Sequence, residues 1–507
     1  MDVTGRQRSG IGPAGASRVA PFSCDRARGR IRYDARLYAS APHRMSPAPI
    51  VPESDASAGT QLPVRDVDVV VIGGGPAGCT AATLLARAGR SVVLLEKDAH
   101  PRFHIGESLL PMNMPILDEL GVLDQVRAIG VHKAGADFPL PGDATRSHVF
   151  RFTRQLDPRH DFAVHVRRDQ FDALLFDHAG AQGVETHTRT RVTHVAFGDD
   201  GRPARVEARA DDGTTLALHP RYVLDASGRD TFLSNRLKLK RKNPAHQSAA
   251  LFSHFRGVAR HPGEDAGNIT IARFEHGWFW LIPLPDDVMS VGAVCSPEYL
   301  KQRGSGEGRR DNEALLLHTL QSNPAVWARM QGAERVAPVH ATGNYSYGAR
   351  RMAGPGWILV GDAYAFVDPI FSSGVFLAMD SAREAAALVD AALHAPAREA
   401  ALQRAMQARL ERGLRHFTWF IYRFNTPVMQ RLFSAPRNDL QVEQAVISML
   451  AGDVFDNAAV RWRLYVFRLI YAINAIAIAP QALRGWLARR RQARAVFRGD
   501  TLHEGNP

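Results

Sequence analysis

Gly73, Gly75 and Gly78 stand in G-x-G-x-x-G spacing, and Glu96 follows about 20 residues on. Each residue type has a use at a dinucleotide. The first glycine permits a tight turn, the second lets the backbone approach a pyrophosphate, and the third lets a helix pack closely on a strand. Free N–H groups of the helix that starts around Ala77 suit the phosphates, and the Glu96 carboxylate suits a ribose. A second constellation, WFWLIP at 278–283, places Trp278 and Trp280, two of the chain's seven tryptophans, one residue apart. By itself it reads as a packed core corner, since indoles bury much apolar surface.

Definite elements must position these residues. The β-branched run 67–72 reads as a buried parallel strand, 77–88 as a helix rich in Ala and Leu, and 92–95 as a second strand, so the glycines sit in the first turn of a β-α-β unit. RYVLDASGRD (221–230) reads as a strand ending at Asp225. GWILVGDAYAFVDPIFSSG (356–374) reads as a strand, a turn at Gly361 and Asp362, and a further turn carrying Gly374. HVRRDQFDALLFDHA (165–179) begins a helix with Arg168 near its start, and from 376 onward the pattern is helical. Short alternating runs in 145–220 and 236–300, such as TLALHPRYVL and MSVGAVC, predict antiparallel strands. The expected architecture is α/β: a discontinuous Rossmann-like nucleotide domain over 66–390 with an inserted antiparallel substrate-side sheet, then a helical region over 391–507. No second dinucleotide fingerprint and no internal repeat is visible.

Composition bounds the function. A chain of 507 residues that is 45% hydrophobic has ample material for a core. Its net charge of +12 is concentrated at the ends: nine arginines against three aspartates give +6 over 1–44, and six arginines against two acids give +4 over 484–507, leaving +2 for the body. A nearly neutral body with basic tails argues against a nucleic-acid binder. Residues 1–65, rich in Arg, Ala, Pro, Ser and Gly, read as a disordered extension, with Met45 as an alternative start. Cys24, Cys79 and Cys295 form neither a disulfide framework nor a metal-ligand pattern, and a reducing cytoplasm fits them. No metal is expected. The segment 464–497 is apolar, then basic around Trp486. It is too interrupted to span a bilayer, and reads either as a helix packed on the body or as one touching a membrane surface or partner.

The nucleotide segments together resemble flavoproteins of the aromatic hydroxylase type. That resemblance implies FAD, with Gly361 and Asp362 at the ribityl chain and flavin-side phosphate, the Asp225 turn closing the nucleotide domain, and Arg168 reaching the cofactor. More narrowly, residues 66–390 resemble the flavin-dependent halogenases. The carriers are W-x-W-x-I-P, matched by Trp278, Trp280, Ile282 and Pro283, and a lysine downstream of a G-E-S turn, here HIGES (104–108) and Lys133. The family implies that reduced FAD, delivered by a separate flavin reductase, and O2 oxidise a halide ion to hypohalous acid. An indole wall would keep an organic ring from the flavin while passing the halide. The amine of Lys133 would then present electrophilic halogen to the ring, a role that a desolvated, neutral lysine suits. The alternative for Lys133 is a solvated surface lysine.

The turn 369–374, with Ser372, Ser373 and Gly374, would bind halide through backbone N–H groups. Phe371 departs from the tryptophan halogenases, which carry glutamate there. This departure is shared with the branch acting on phenols and pyrroles, whose substrates are often tethered to an acyl-carrier protein. The expected function is therefore chlorination or bromination of an electron-rich phenolic or pyrrolic substrate. The rivals are a monooxygenase or reductase on the same scaffold, and a non-catalytic flavin-binding partner of a carrier protein.

Overall fold

A computed structural model describes residues 64–140, 146–243, 248–303, 311–343 and 346–497, with side chains followed to residue 477. The basic extension ahead of residue 64, and the side chains of Trp486 and the arginines around it, lie outside the described residues. Strands Arg65–Ile72, Val92–Leu95, Thr215–Asp225 and Trp357–Leu359 run parallel in one eight-stranded sheet. They end in register: Ile72 lies beside Leu95 and Asp225, and Asp225 beside Leu359. The turns that follow therefore gather at one carboxyl edge, where open α/β sheets bind ligands. Helices Pro76–Arg87 and Gly374–His394 cover this layer, their buried faces built largely of Ala, Leu and Val.

Thr215–Asp225 corrects one expectation. TLALHPRYVL does not belong to the substrate-side sheet. Its first half pairs antiparallel with Pro203–Ala210, and from Leu218 the same strand pairs in parallel with Arg65–Ile72. The first half alternates in burial and the last four residues are fully buried. A strand entering a sheet from its edge alternates like any half-exposed strand, whichever sheet it joins.

The second eight-stranded sheet runs Glu334–Arg335, Ala249–Arg256, Val288–Cys295, Gly277–Pro283, Ile269–Phe274, Gly135–Pro139, Ser147–Arg151, with His340–Gly343 also on Ala249–Arg256. One face, with Phe255, Phe279 and Val291, packs under helices Asn312–Gln321 and Pro324–Arg329. The other, with Phe252, Ile271, Trp278 and Trp280, joins the core of the nucleotide layer. A two-stranded ribbon, Gly130–Lys133 with Ala163–Val166, lies beside it.

The boundary expected at 390 falls inside helix Gly374–His394, and the helices after it share the main core. Phe417, Phe420, Phe424, Phe433 and Leu450 pack in one cluster with the nucleotide layer. The last helix, Ala458–Phe497, presents Trp462, Tyr465, Leu469, Ile473 and Ile476 to solvent. No helix among the described residues is long and apolar enough to cross a membrane.

Candidate active site

The glycine turn has the shape of a cofactor cradle. Gly73 has φ +103°, and a Cβ there would lie 2.5 Å from the Ala226 carbonyl oxygen. At Gly78 a Cβ would meet Gly73 O at 1.8 Å, so helix and strand approach as closely as backbones can. Gly75 differs. Its Cβ would meet only Arg102 Nη2, at 3.8 Å, so this glycine faces open space. Ala77 is buried beside it, and a Cβ on Gly361 (φ +54°) would lie 3.7 Å from the Ala77 methyl, which brings the first and last nucleotide turns together. Glu96 is buried. Its Oε2 accepts from Gly74 N at 2.7 Å and its Oε1 from Asp98 N at 2.9 Å, which fixes the carboxylate at the turn.

Asp362 follows Gly361 in a 3-10 turn; its backbone carbonyl accepts from Tyr347, and among the described residues no hydrogen bond ties up its carboxylate. Burial pushes that carboxyl up to about 6, against the opposing pull of Arg229 and Arg168. An acceptor without a donor beside an open cradle fits the polyol chain of FAD. Two other expected cofactor residues make hydrogen bonds within the protein. Asp225 accepts from Ser227 N at 2.9 Å and Leu233 N at 2.7 Å, which shapes the turn from within. Arg168 is bound at both ends of its fork to Asp172, at 2.8 and 2.9 Å, and donates to Ile105 O at 2.7 Å.

Lys133 ends the ribbon strand and is 1% exposed, so it is not a surface lysine. Its Nζ donates to Ser108 Oγ at 3.0 Å and Leu109 O at 2.9 Å, and lies 5.4 Å from the Phe152 ring centroid. Burial, with no carboxylate in compensation, pulls its pKa down to about 7. A small pocket forms in front of it, lined by Lys133, Phe138, Phe152, Ile271, Phe371, Ser372 and Leu450 among others. The lysine and the 369–374 turn, far apart in sequence, thus share one cavity.

The turn itself is strained. Ser372 has φ +56°, and its N–H closes on Pro369 O at 2.8 Å. Ser373 Oγ is buried without a hydrogen-bond partner, and a Cβ on Gly374 would meet nothing within 4 Å. Gly374 begins a 21-residue helix, whose first N–H groups have no intrahelical acceptor. A polar cup with spare donors results.

Trp278 and Trp280 sit on one face of strand Gly277–Pro283, both buried, with ring centroids 5.8 Å apart. Trp280 Nε1 donates to Ser290 Oγ at 3.1 Å, and its ring occupies the space at Gly292, where a Cβ would come within 2.3 Å of it. The Trp278 side chain lies beside Asp368, whose carboxylate accepts from Ser248 Oγ at 3.2 Å and Ile370 N at 3.3 Å. Trp278 therefore lies against the turn that carries Phe371 and Ser372.

Several site residues have no signal in a single sequence. Ser108 and the Leu109 carbonyl hold the lysine amine, and only the serine lies in a recognisable turn. Glu107, in the same turn, pairs with His254 at 2.6 Å across the two layers. Leu450 reaches the pocket from helix Val442–Ala451, remote in sequence from every motif.

The fold and cradle define an FAD-dependent flavoprotein, and the family description "FAD binding domain" matches residues 66–419. The chain is 37% identical over 333 residues to the tryptophan 2-halogenase of Chondromyces crocatus, covering 65% of this chain and 62% of that protein. It is 30% identical over 418 residues to the 1H-pyrrole-2-carbonyl-[peptidyl-carrier protein] chlorinase of Pseudomonas fluorescens, covering 77% of this chain and 90% of that one. Among solved structures, the myxobacterial chondrochloren halogenase superposes with a TM-score of 0.67 at 31% identity, covering 79% of this chain and 96% of its own. The protein belongs to the flavin-dependent halogenase family, and is an enzyme of that type.

Proposed function

We propose that the enzyme installs chloride or bromide on an electron-rich phenolic or pyrrolic ring, with Lys133 as the residue that presents the halogen. One observation carries this reading: a desolvated amine and the strained 369–374 turn open into one apolar pocket, while the tryptophan pair packs into the nucleotide layer beside them. Gly73, Gly75, Ala77, Gly78, Glu96, Gly361 and Asp362 would hold FAD, with Arg168 and Asp225 bracing them. Reduced FAD, supplied by a separate reductase, would with O2 provide the oxidising power that turns halide into hypohalous acid. Ser372, Ser373 and Gly374 would hold the halide through the orphaned hydroxyl and free N–H groups. Trp278 and Trp280 would exclude the organic ring from the nucleotide side. A neutral Lys133 amine would take halogen from hypohalous acid, releasing water, and pass it to a ring carbon that gives up its proton. Phe371 in place of a carboxylate leaves activation of the ring to the substrate's own OH or NH. A second reading, with the substrate as a carrier-protein thioester, is favoured by the likeness to the Pseudomonas chlorinase.

The test reads flavin reoxidation and product halogenation in the same samples, with catalase present. Lys133→Ala should reoxidise reduced FAD in the presence of halide yet halogenate nothing. Lys133→Arg should fail as well, since guanidinium stays protonated. Near wild-type product from the alanine variant removes Lys133 from the mechanism. Oxygenated product without halide would point to the monooxygenase rival.

A further inference from the structure

Beyond the lysine pocket, strand Ile269–Phe274 holds a charge that neither the fold nor the chemistry above uses. Ile269 and Ile271 line the pocket, and Arg273 is the next residue on the same strand face. Its cross-strand neighbour is Trp278. The guanidinium lies 3.8 Å from the Phe424 ring centroid and 5.6 Å from that of Phe433. Phe424 in turn packs edge-on against Phe371, 5.7 Å away, and against Phe138 at 5.9 Å, both of them pocket walls. The cation is thus one ring removed from the cavity.

Arg273 has no counter-ion among the described residues. Its Nε and Nη2 are buried with no hydrogen-bond partner, and among the described residues no carboxylate pairs with it. Asp368, beside Trp278, accepts instead from Ser248 and Ile370. Burial alone lowers the pKa of Arg273 to about 9, which still leaves it charged at neutral pH. A partly buried guanidinium with two occluded, unpartnered nitrogens is costly, and an apolar side chain of similar volume would pack against two phenylalanines without that cost. The Nε and Nη2 edge of the planar fork, stacked on Phe424, is left without a hydrogen-bond partner, and that edge matches two carboxylate oxygens. Two residues of strand advance by roughly 7 Å, about the span of a benzoate from carboxylate to far ring edge, so one ring can bridge from Arg273 to the pocket beside Ile271.

Resting on the halogenase reading, we propose that Arg273 anchors the substrate and that the substrate is a free aromatic carboxylic acid. The acid's carboxylate pairs with the Nε and Nη2 edge while its ring lies against Phe371 and Ile271, turned toward Lys133. A carrier-bound thioester has no charge at that position. A bare halide is the other anion of the reaction, but it offers no pair of oxygens to the fork.

The test is calorimetric titration of the FAD-loaded, oxidised enzyme, without halide, by 2,4-dihydroxybenzoate and by resorcinol, which differ only in the carboxylate. Wild type should prefer the acid by at least about tenfold, the scale on which a buried charge pair acts. Arg273→Met should bring the ratio of the two affinities close to one, and Arg273→Lys should keep part of the preference, as charge without a fork. Without ligand, the methionine variant should melt at or above the wild-type temperature. Wild-type enzyme that binds both probes alike, or neither, overturns the proposal, as does a methionine variant that keeps the preference. A methionine variant that melts well below wild type makes Arg273 a structural residue and overturns it too, and so does a change in halide requirement with the probe ratio intact. Failure of the halogenase reading is separate: it appears as no halogenated product from any ring, and leaves the binding ratio readable.

Discussion

At the scale of single residues, Lys133 couples burial to chemistry. With its pKa pulled to about 7, it passes from mostly protonated at pH 6 to mostly neutral at pH 8. Halogenated product per flavin oxidised should therefore rise through that interval if the amine acts as the halogen carrier. A ratio that is flat, or that falls, would sink the haloamine step and leave hydrogen bonding by the protonated amine. His165, on the paired strand, is held well below its ordinary value by burial and by Lys133, so it stays neutral throughout, whereas the buried carboxyls of Asp362 and Asp368, both pushed up to about 6, titrate at the lower end of the interval and the lysine is read from the rise above pH 7. The same shift fixes a stability trend. Between about 7 and the usual lysine value near 10.5 the unfolded chain binds more protons than the folded one, so the lysine's contribution favours folding increasingly as pH rises. Two glycines separate cradle from scaffold. Gly75→Val adds atoms only to open space at φ −85°, so it should fold and melt normally but take up no FAD, measured by absorbance of the desalted protein. Gly78→Ala, which drives a methyl to 1.8 Å from Gly73 O, should fail to fold.

At the scale of elements, strand Gly277–Pro283 decides whether the tryptophans are wall or filler. Trp280 fills the space over Gly292 and against Phe252, 5.7 Å away. Trp280→Ala should cost ~3–5 kcal/mol by urea denaturation, the usual result of emptying an aromatic site. Its folded fraction should still bind FAD, since no cradle residue contacts the indole through a hydrogen bond. If halogenation per folded molecule is unchanged, the pair is only core. The hexapeptide could be recognised from sequence as a motif, and its strand ending at Pro283 was legible. That Trp278 lies beside Asp368 was not, because the two are 90 residues apart and a contact across layers leaves no local pattern.

At the scale of the whole molecule, the helices after residue 395 belong to the site. Leu450 lines the lysine pocket, Phe424 packs on Phe371, and Arg409 joins Asp380 of the long helix at 2.7 Å. A chain ended at Ala395 would expose the buried partners of Phe417, Phe420 and Phe424. It should show neither cooperative melting nor near-ultraviolet dichroism. A truncated chain that folds and binds FAD would make the helical region an independent unit.

The sequence by itself determined the β-α-β unit, the three nucleotide turns in order and the pairing of a lysine with a tryptophan motif. All of these are local: turn chemistry needs glycine where φ is positive or backbones touch, and buried strands need runs of Val, Ile and Leu. The tertiary structure alone decided that Lys133 is dry, that the 369–374 turn faces it, and that Thr215–Asp225 changes partners along its length. It also decided which internal hydrogen bonds Asp225 and Arg168 make, and that Arg273 stands over two rings with no carboxylate partner among the described residues. Burial and counter-ions depend on residues brought together from distant segments, and periodicity within any one segment carries no record of them.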